Sequence, residues 1–242
     1  MNEYMKQPFD ISQLVDELEP VRPMNMRRAI ALPVGTTLAA IAVIATYAGV
    51  RADLMAGAPH PMFLLRAGTL LLLGLVCAAT LLAMANPGVG RQGHGWKTAL
   101  AAALLFPLAA TILAFAGQPS GSSGTMQSGI QCLTYSLVGG VATAVPMVLW
   151  LRRGAPVAPE KAGWLTGLAA GGLGAFAYNF HCPFNSVVYT GFWYSMAVGL
   201  CALLGRLIVP RLIRCYSAAR RQSSCPECRM RFGDAVGAKV ED

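Results

Sequence analysis

The 242-residue chain is 55% hydrophobic and only 12% charged, with a formal net charge of +8. An ordinary soluble domain carries about 25% charged residues, so a water-soluble globular domain is excluded. A basic excess of this size would suit nucleic acid, but its placement along the chain points to membrane topology, and no direct nucleic-acid contact is expected.

The first 28 residues form a polar head. It holds five of the eleven acidic residues of the chain, and no cleavable signal peptide is evident in it. Ile11, Leu14, Val15 and Leu18 fall at i, i+3, i+4 and i+7, the stripe of a short amphipathic helix. Asp10 is its N-cap and Pro20 stops it near Glu19. Two turns of helix are marginal alone in water, and an acidic segment is repelled by anionic lipid. The stripe therefore predicts helix-in-groove docking on a partner protein, with Asp16, Glu17 and Glu19 facing basic residues there. Packing against the chain's own cytoplasmic loops is the alternative.

Six apolar runs follow: Ala29–Val50, Leu64–Ala85, Thr98–Gly117, Ser128–Leu151, Gly163–Phe180 and Val187–Val209. At about 1.5 Å per residue each crosses a hydrocarbon core roughly 30 Å thick. The expected fold is all-α: a polytopic membrane protein with a six-helix bundle over 29–209 and a basic tail over 210–242. Lys and Arg concentrate in the head, in the second loop (Arg91, Lys97), in the fourth (Arg152, Arg153, Lys161) and in the tail. The other three loops and their flanks hold only Arg51 and Arg66. By the positive-inside rule both termini are cytoplasmic. Arg66 and Arg206 are expected to snorkel from helix ends, and Trp96, Trp150, Trp164 and Trp193 to form an aromatic belt.

The runs lack the buried acidic or histidine residues that an ion path needs. Gly167 and Gly171, extended by Ala170 and Gly174, form a small-residue stripe that suits close helix packing within the bundle, with a seam between two copies as the alternative. Of seven cysteines, Cys77 and Cys201 read as small buried hydrophobes. Cys132, at the outer turn of the fourth run, and Cys182, in the loop His181-Cys182-Pro183-Phe184, both fall on the outer side, where disulfides persist. They read as a static bridge, as a redox- or metal-responsive pair, or as unpaired thiols. His181, when protonated, would stabilise a thiolate on its neighbour; its default role is to cap a helix end. In the tail Cys215, Cys225 and Cys228 fall one ligand short of a structural zinc site. No cofactor is expected.

Several stretches together resemble the NrsF-type membrane anti-sigma factors, the negative-regulator-of-sigma-F family of bacterial inner-membrane proteins. They are Leu14–Pro23, Trp150–Pro156, and Gly167–Gly174 followed by His181-Cys182-Pro183, with Cys132 upstream. The resemblance covers about residues 8–209; the Cys225-Pro-Glu-Cys228 tail lies outside it. It implies that the head sequesters an extracytoplasmic-function sigma factor, and that Cys132 and Cys182 take part in sensing an envelope stress such as a heavy metal or an oxidant. The competing function is a membrane thiol–disulfide oxidoreductase, against which stands the lack of a CxxC on the outer side. A transporter is the third reading.

Overall fold

A computed structural model describes residues 26–85, 124–154 and 158–224, with Lys97, Ala101, Leu104, Leu108 and Ile112 individually in between. The amphipathic stripe Ile11–Glu19 expected to bind a partner, most of the third apolar run and the Cys225/Cys228 segment lie outside the described residues.

Among those residues the structure is helical and contains no strand. Helix α1 spans Met26–Tyr47, α2 Ala52–Met55, α3 Pro61–Ala85, α4 Met126–Gly154, α5 Pro159–Asn179 and α6 Val187–Ser224. Local signals set the helix starts. Pro61 and Pro159 occupy first-turn positions where a missing N–H costs nothing. The Thr125 hydroxyl accepts the Ser128 N–H at 3.3 Å and the Ser186 hydroxyl the Tyr189 N–H at 3.4 Å, as N-caps do. Helix α6 runs on through Pro210 to Ser224, so the first half of the predicted tail continues the last helix.

Four helices are long and apolar enough to cross a membrane: Ala29–Tyr47, Pro61–Met84, Met126–Arg152 and Val188–Ile213. Their outward faces carry large apolar side chains, among them Leu38, Val138, Val141 and Phe192, each about 60% exposed. In water such a surface would aggregate; against lipid it is the expected exterior. Helix α5 is not among the four. It is rich in Gly and Ala, and it sits at the centre, packed on α3, α4 and α6 and touching α1.

The small-residue stripe explains that position. A Cβ on Gly167 would stand 2.3 Å from the Cys201 carbonyl oxygen, and one on Gly174 would stand 2.4 Å from both Gly140 N and Ser136 O. Across from Gly163, a Cβ on Gly205 would meet its carbonyl oxygen at 2.6 Å. The glycines thus bring α5 backbone against α4 and α6 backbone within one chain, where any side chain would force the helices apart. Two of the expected belt tryptophans are inside instead: Trp150 and Trp193 are buried, the latter against Gly129. Trp164 is partly exposed, with Arg206 stacked on its ring at 5.5 Å.

Candidate functional site

The C-terminal ends of α1 and α5 and the N-terminal ends of α3, α4 and α6 meet at one end of the bundle. Two arginines organise this cap. Arg51, in the turn after α1, is buried. Its Nε and Nη2 donate to the two carboxylate oxygens of Asp53, each at 2.8 Å, in the bidentate geometry that suits a guanidinium. Nη2 also donates to Asn185 Oδ1 at 2.9 Å, and Nη1 to the Cys182 carbonyl. The Arg51 backbone N–H reaches the Phe180 carbonyl at 3.1 Å. The guanidinium therefore ties the α5–α6 loop, with Cys182 in it, to the end of α1. It also holds the Asp53 carboxyl well below the ordinary carboxylate range.

Arg66 belongs to the first turns of α3. The expected snorkelling does not occur: its side chain is buried. Nε donates to Asn179 Oδ1 and Nη1 to the Phe184 carbonyl at 3.0 Å, while the guanidinium lies over the Tyr194 ring at 5.3 Å. Acceptors at the end of α5 and in the loop after it draw this cation inward, engaging Nε and Nη1 while Nη2 makes no hydrogen bond.

Cys132 and Cys182 lie beneath this cap, 3% and 1% exposed. They interact with each other, and the Tyr194 side chain is in contact with both; Ser136 lies beside Cys132. Both are free thiols, as are Cys77 and Cys201. The structure thus brings the two cysteines close without a bridge, and both are buried. His181 is turned elsewhere. Its ring Nδ1 donates to the Gly49 carbonyl at 2.9 Å and its ring lies 5.5 Å from that of Tyr178, so it caps the end of α1. Among the described residues no trio of His, Cys, Asp or Glu is placed to hold a metal ion.

Sequence reasoning missed Arg51, Asp53, Arg66, Asn179, Asn185 and Tyr194. A signal for the first and third was present: they are the only basic residues in the first, third and fifth loops and their flanks, which the charge pattern otherwise keeps free of cations. Asp53 and Glu160 are the only acidic residues between Pro20 and Pro226, and one of them is spent on Arg51. Chemically, the site is a pair of buried, unbridged cysteines with hydroxyls and aromatic rings around them, roofed by hydrogen bonds that reach α1.

The chain is 29% identical over 198 residues to the anti-sigma-F factor NrsF of Caulobacter vibrioides (strain NA1000 / CB15N), covering 77% of this chain and 87% of that protein. It is 37% identical over 60 residues to the probable anti-sigma-F factor NrsF of Azospira oryzae (strain ATCC BAA-33 / DSM 13638 / PS), covering 25% of this chain and 28% of that one. No solved structure matches it. The family described as "Negative regulator of sigma F" matches residues 14–215, most of the chain. The chain belongs to that family.

Proposed function

We propose that this chain is a membrane anti-sigma factor, regulatory rather than catalytic, which holds an extracytoplasmic-function sigma factor at a bacterial inner membrane and releases it when envelope stress reaches Cys132 and Cys182. The observation that carries the reading is the family match over 14–215, which begins within the acidic head and takes in both cysteines. Support comes from the names of the relatives, from the apolar helices, and from a thiol pair joined to the head through α1. That helix starts at Met26, next to the head, and ends at the cap, where Arg51 and His181 grip the loop of Cys182. On this reading both termini are cytoplasmic and the cap faces the periplasm. Leu14 and Leu18 bury in a groove of the sigma factor, assisted by Ile11 and Val15, while Asp16, Glu17 and Glu19 meet its basic residues. Two copies could associate through lipid-facing surfaces without disturbing the glycine seams.

Leu14→Ala with Leu18→Ala tests the assignment. Truncating a buried leucine costs about 2–5 kcal/mol, enough to release the partner, so the regulon should switch on without stress. Full repression by the double mutant at normal expression would overturn it.

A further inference from the structure

We propose that Trp164, Arg206 and Lys161 form a binding site for the headgroup of an anionic phospholipid, at the end of the bundle opposite the cap. Arg206 lies within the apolar span Val188–Ile213, seven residues before its end, or about 10 Å. Leu203, Leu207 and Ile208 around it are exposed on the outer surface of the bundle, and so is Arg206 itself. A cation at that depth needs an anion or acceptors. Among the described residues Arg206 has no hydrogen bond and no carboxylate partner, since the only ion pair there is Arg51–Asp53. Its guanidinium rests on the Trp164 ring, 5.5 Å from the centroid.

The seam between α5 and α6 sets where Lys161 stands. A Cβ on Gly163 would meet the Gly205 carbonyl oxygen at 2.8 Å and the Arg206 Cα at 3.1 Å, while one on Gly167 would meet the Cys201 carbonyl oxygen at 2.3 Å. The two helices therefore run antiparallel in close register, and residues before Gly163 lie level with the part of α6 beyond Arg206, towards water. Lys161 is exposed and one helical turn before Trp164. The site thus presents a ring and a guanidinium at the margin of the hydrocarbon and an ammonium nearer the water. A lipid phosphate is the anion that occupies that depth, with the acyl chains of the same molecule on Leu203 and Leu207. Stacking on the ring leaves the edge N–H groups of Arg206 free to donate to phosphate oxygens. Two cations favour a headgroup of net negative charge; Glu160, exposed beside Lys161, pairs with neither and opposes the second charge in part. The site is independent of the sigma-factor reading.

The experiment is native mass spectrometry of the full-length protein in detergent micelles, titrated with phosphatidylglycerol or with phosphatidylcholine of the same acyl chains. One cation beside an anionic headgroup contributes about fivefold in affinity, so phosphatidylglycerol should be retained at least about fivefold better. Arg206→Gln should cut that preference by about fivefold, and Lys161→Gln by a smaller factor because Glu160 remains. Both side chains are exposed, so both variants keep the fold. Trp164→Leu should also weaken phosphatidylglycerol binding, a loss that net charge alone does not cause. Arg211→Gln removes the same charge from an exposed position about 140° further round α6 and should leave retention unchanged. Equal retention of the two lipids by the wild type, unchanged retention in Arg206→Gln, or an equal loss in Arg211→Gln would overturn the proposal. Displacement of the lipid by millimolar inorganic phosphate would mark a soluble-anion site and overturn it as well.

Discussion

Replacing Arg51 with alanine removes the clasp of the cap. Four hydrogen bonds go: two to the Asp53 carboxylate and one each to Asn185 and the buried Cys182 carbonyl. Bonds to charged groups contribute about 1.5–3 kcal/mol each, and an orphaned buried carbonyl costs about 1–3 kcal/mol. Because the Asp53 side chain is 24% exposed, water recovers part of the carboxylate's loss. The expected destabilisation is about 3–5 kcal/mol, the range for breaking a buried pair by removing one partner. Lysine at the same position cannot span both carboxylate oxygens and the loop, so Arg51→Lys should recover less than half. The assay is thermal unfolding of the full-length protein in detergent, followed by circular dichroism. A loss below about 1 kcal/mol would refute the reasoning. The pH arm has a definite sign. A carboxylate depressed in the folded state stabilises the fold fully above its unfolded value of about 3.9, and loses that contribution as pH falls through the lower folded value. The pair should therefore leave stability flat from about pH 8 to 5. Below about pH 4 the wild type should lose stability, and Asp53→Asn should lack that acid-side loss.

Further outcomes follow from the helix packing, the topology and the thiol pair. Gly174→Val places carbon within 2.4 Å of backbone on α4, so it should cost at least the roughly 1–3 kcal/mol of overpacking and prevent recovery of a monodisperse protein; a neutral effect on thermal unfolding would contradict the seam. A reporter active only outside the cytoplasm should work when fused at Gly121 or Asn185 and fail at Gly90 or Ala155, and activity at Ala155 would reverse the sidedness. Cys132→Ser and Cys182→Ser should alter the stress response alike, with the double mutant no worse than either single, as one switch requires; additive or opposite effects in a regulon reporter would show two independent sites.

Much of the fold was legible because apolar length and glycine spacing are local properties. The runs matching α1, α3, α4 and α6 could be counted from hydropathy alone, and Gly167–Gly174 announced a helix that others would approach closely. That Cys132 and Cys182 lie at the same end of the bundle was legible only through the predicted topology, which put both on one side. Depth was not legible. Nothing near Arg66 in the sequence says that Asn179 and the Phe184 carbonyl, more than a hundred residues away, would receive it, and an arginine near a helix end reads by default as snorkelling. His181 was misleading for the same reason: adjacency to Cys182 suggested shared chemistry, but the turn after Asn179 points its ring at Gly49. Trp150 and Trp193 read as interfacial by position, yet the space left by glycines such as Gly129 draws Trp193 inward.

On the proposed function the acidic head holds a sigma factor at the membrane. The most direct measurement is co-sedimentation of the sigma factor with membranes carrying the full-length chain, compared with membranes carrying Leu14→Ala and Leu18→Ala at equal expression. Retention by the wild type is expected, with loss of at least about tenfold in the double mutant, the equivalent of one buried anchor. A wild-type chain that retains no sigma factor, or a double mutant that retains it equally well, would rule out sequestration by the head.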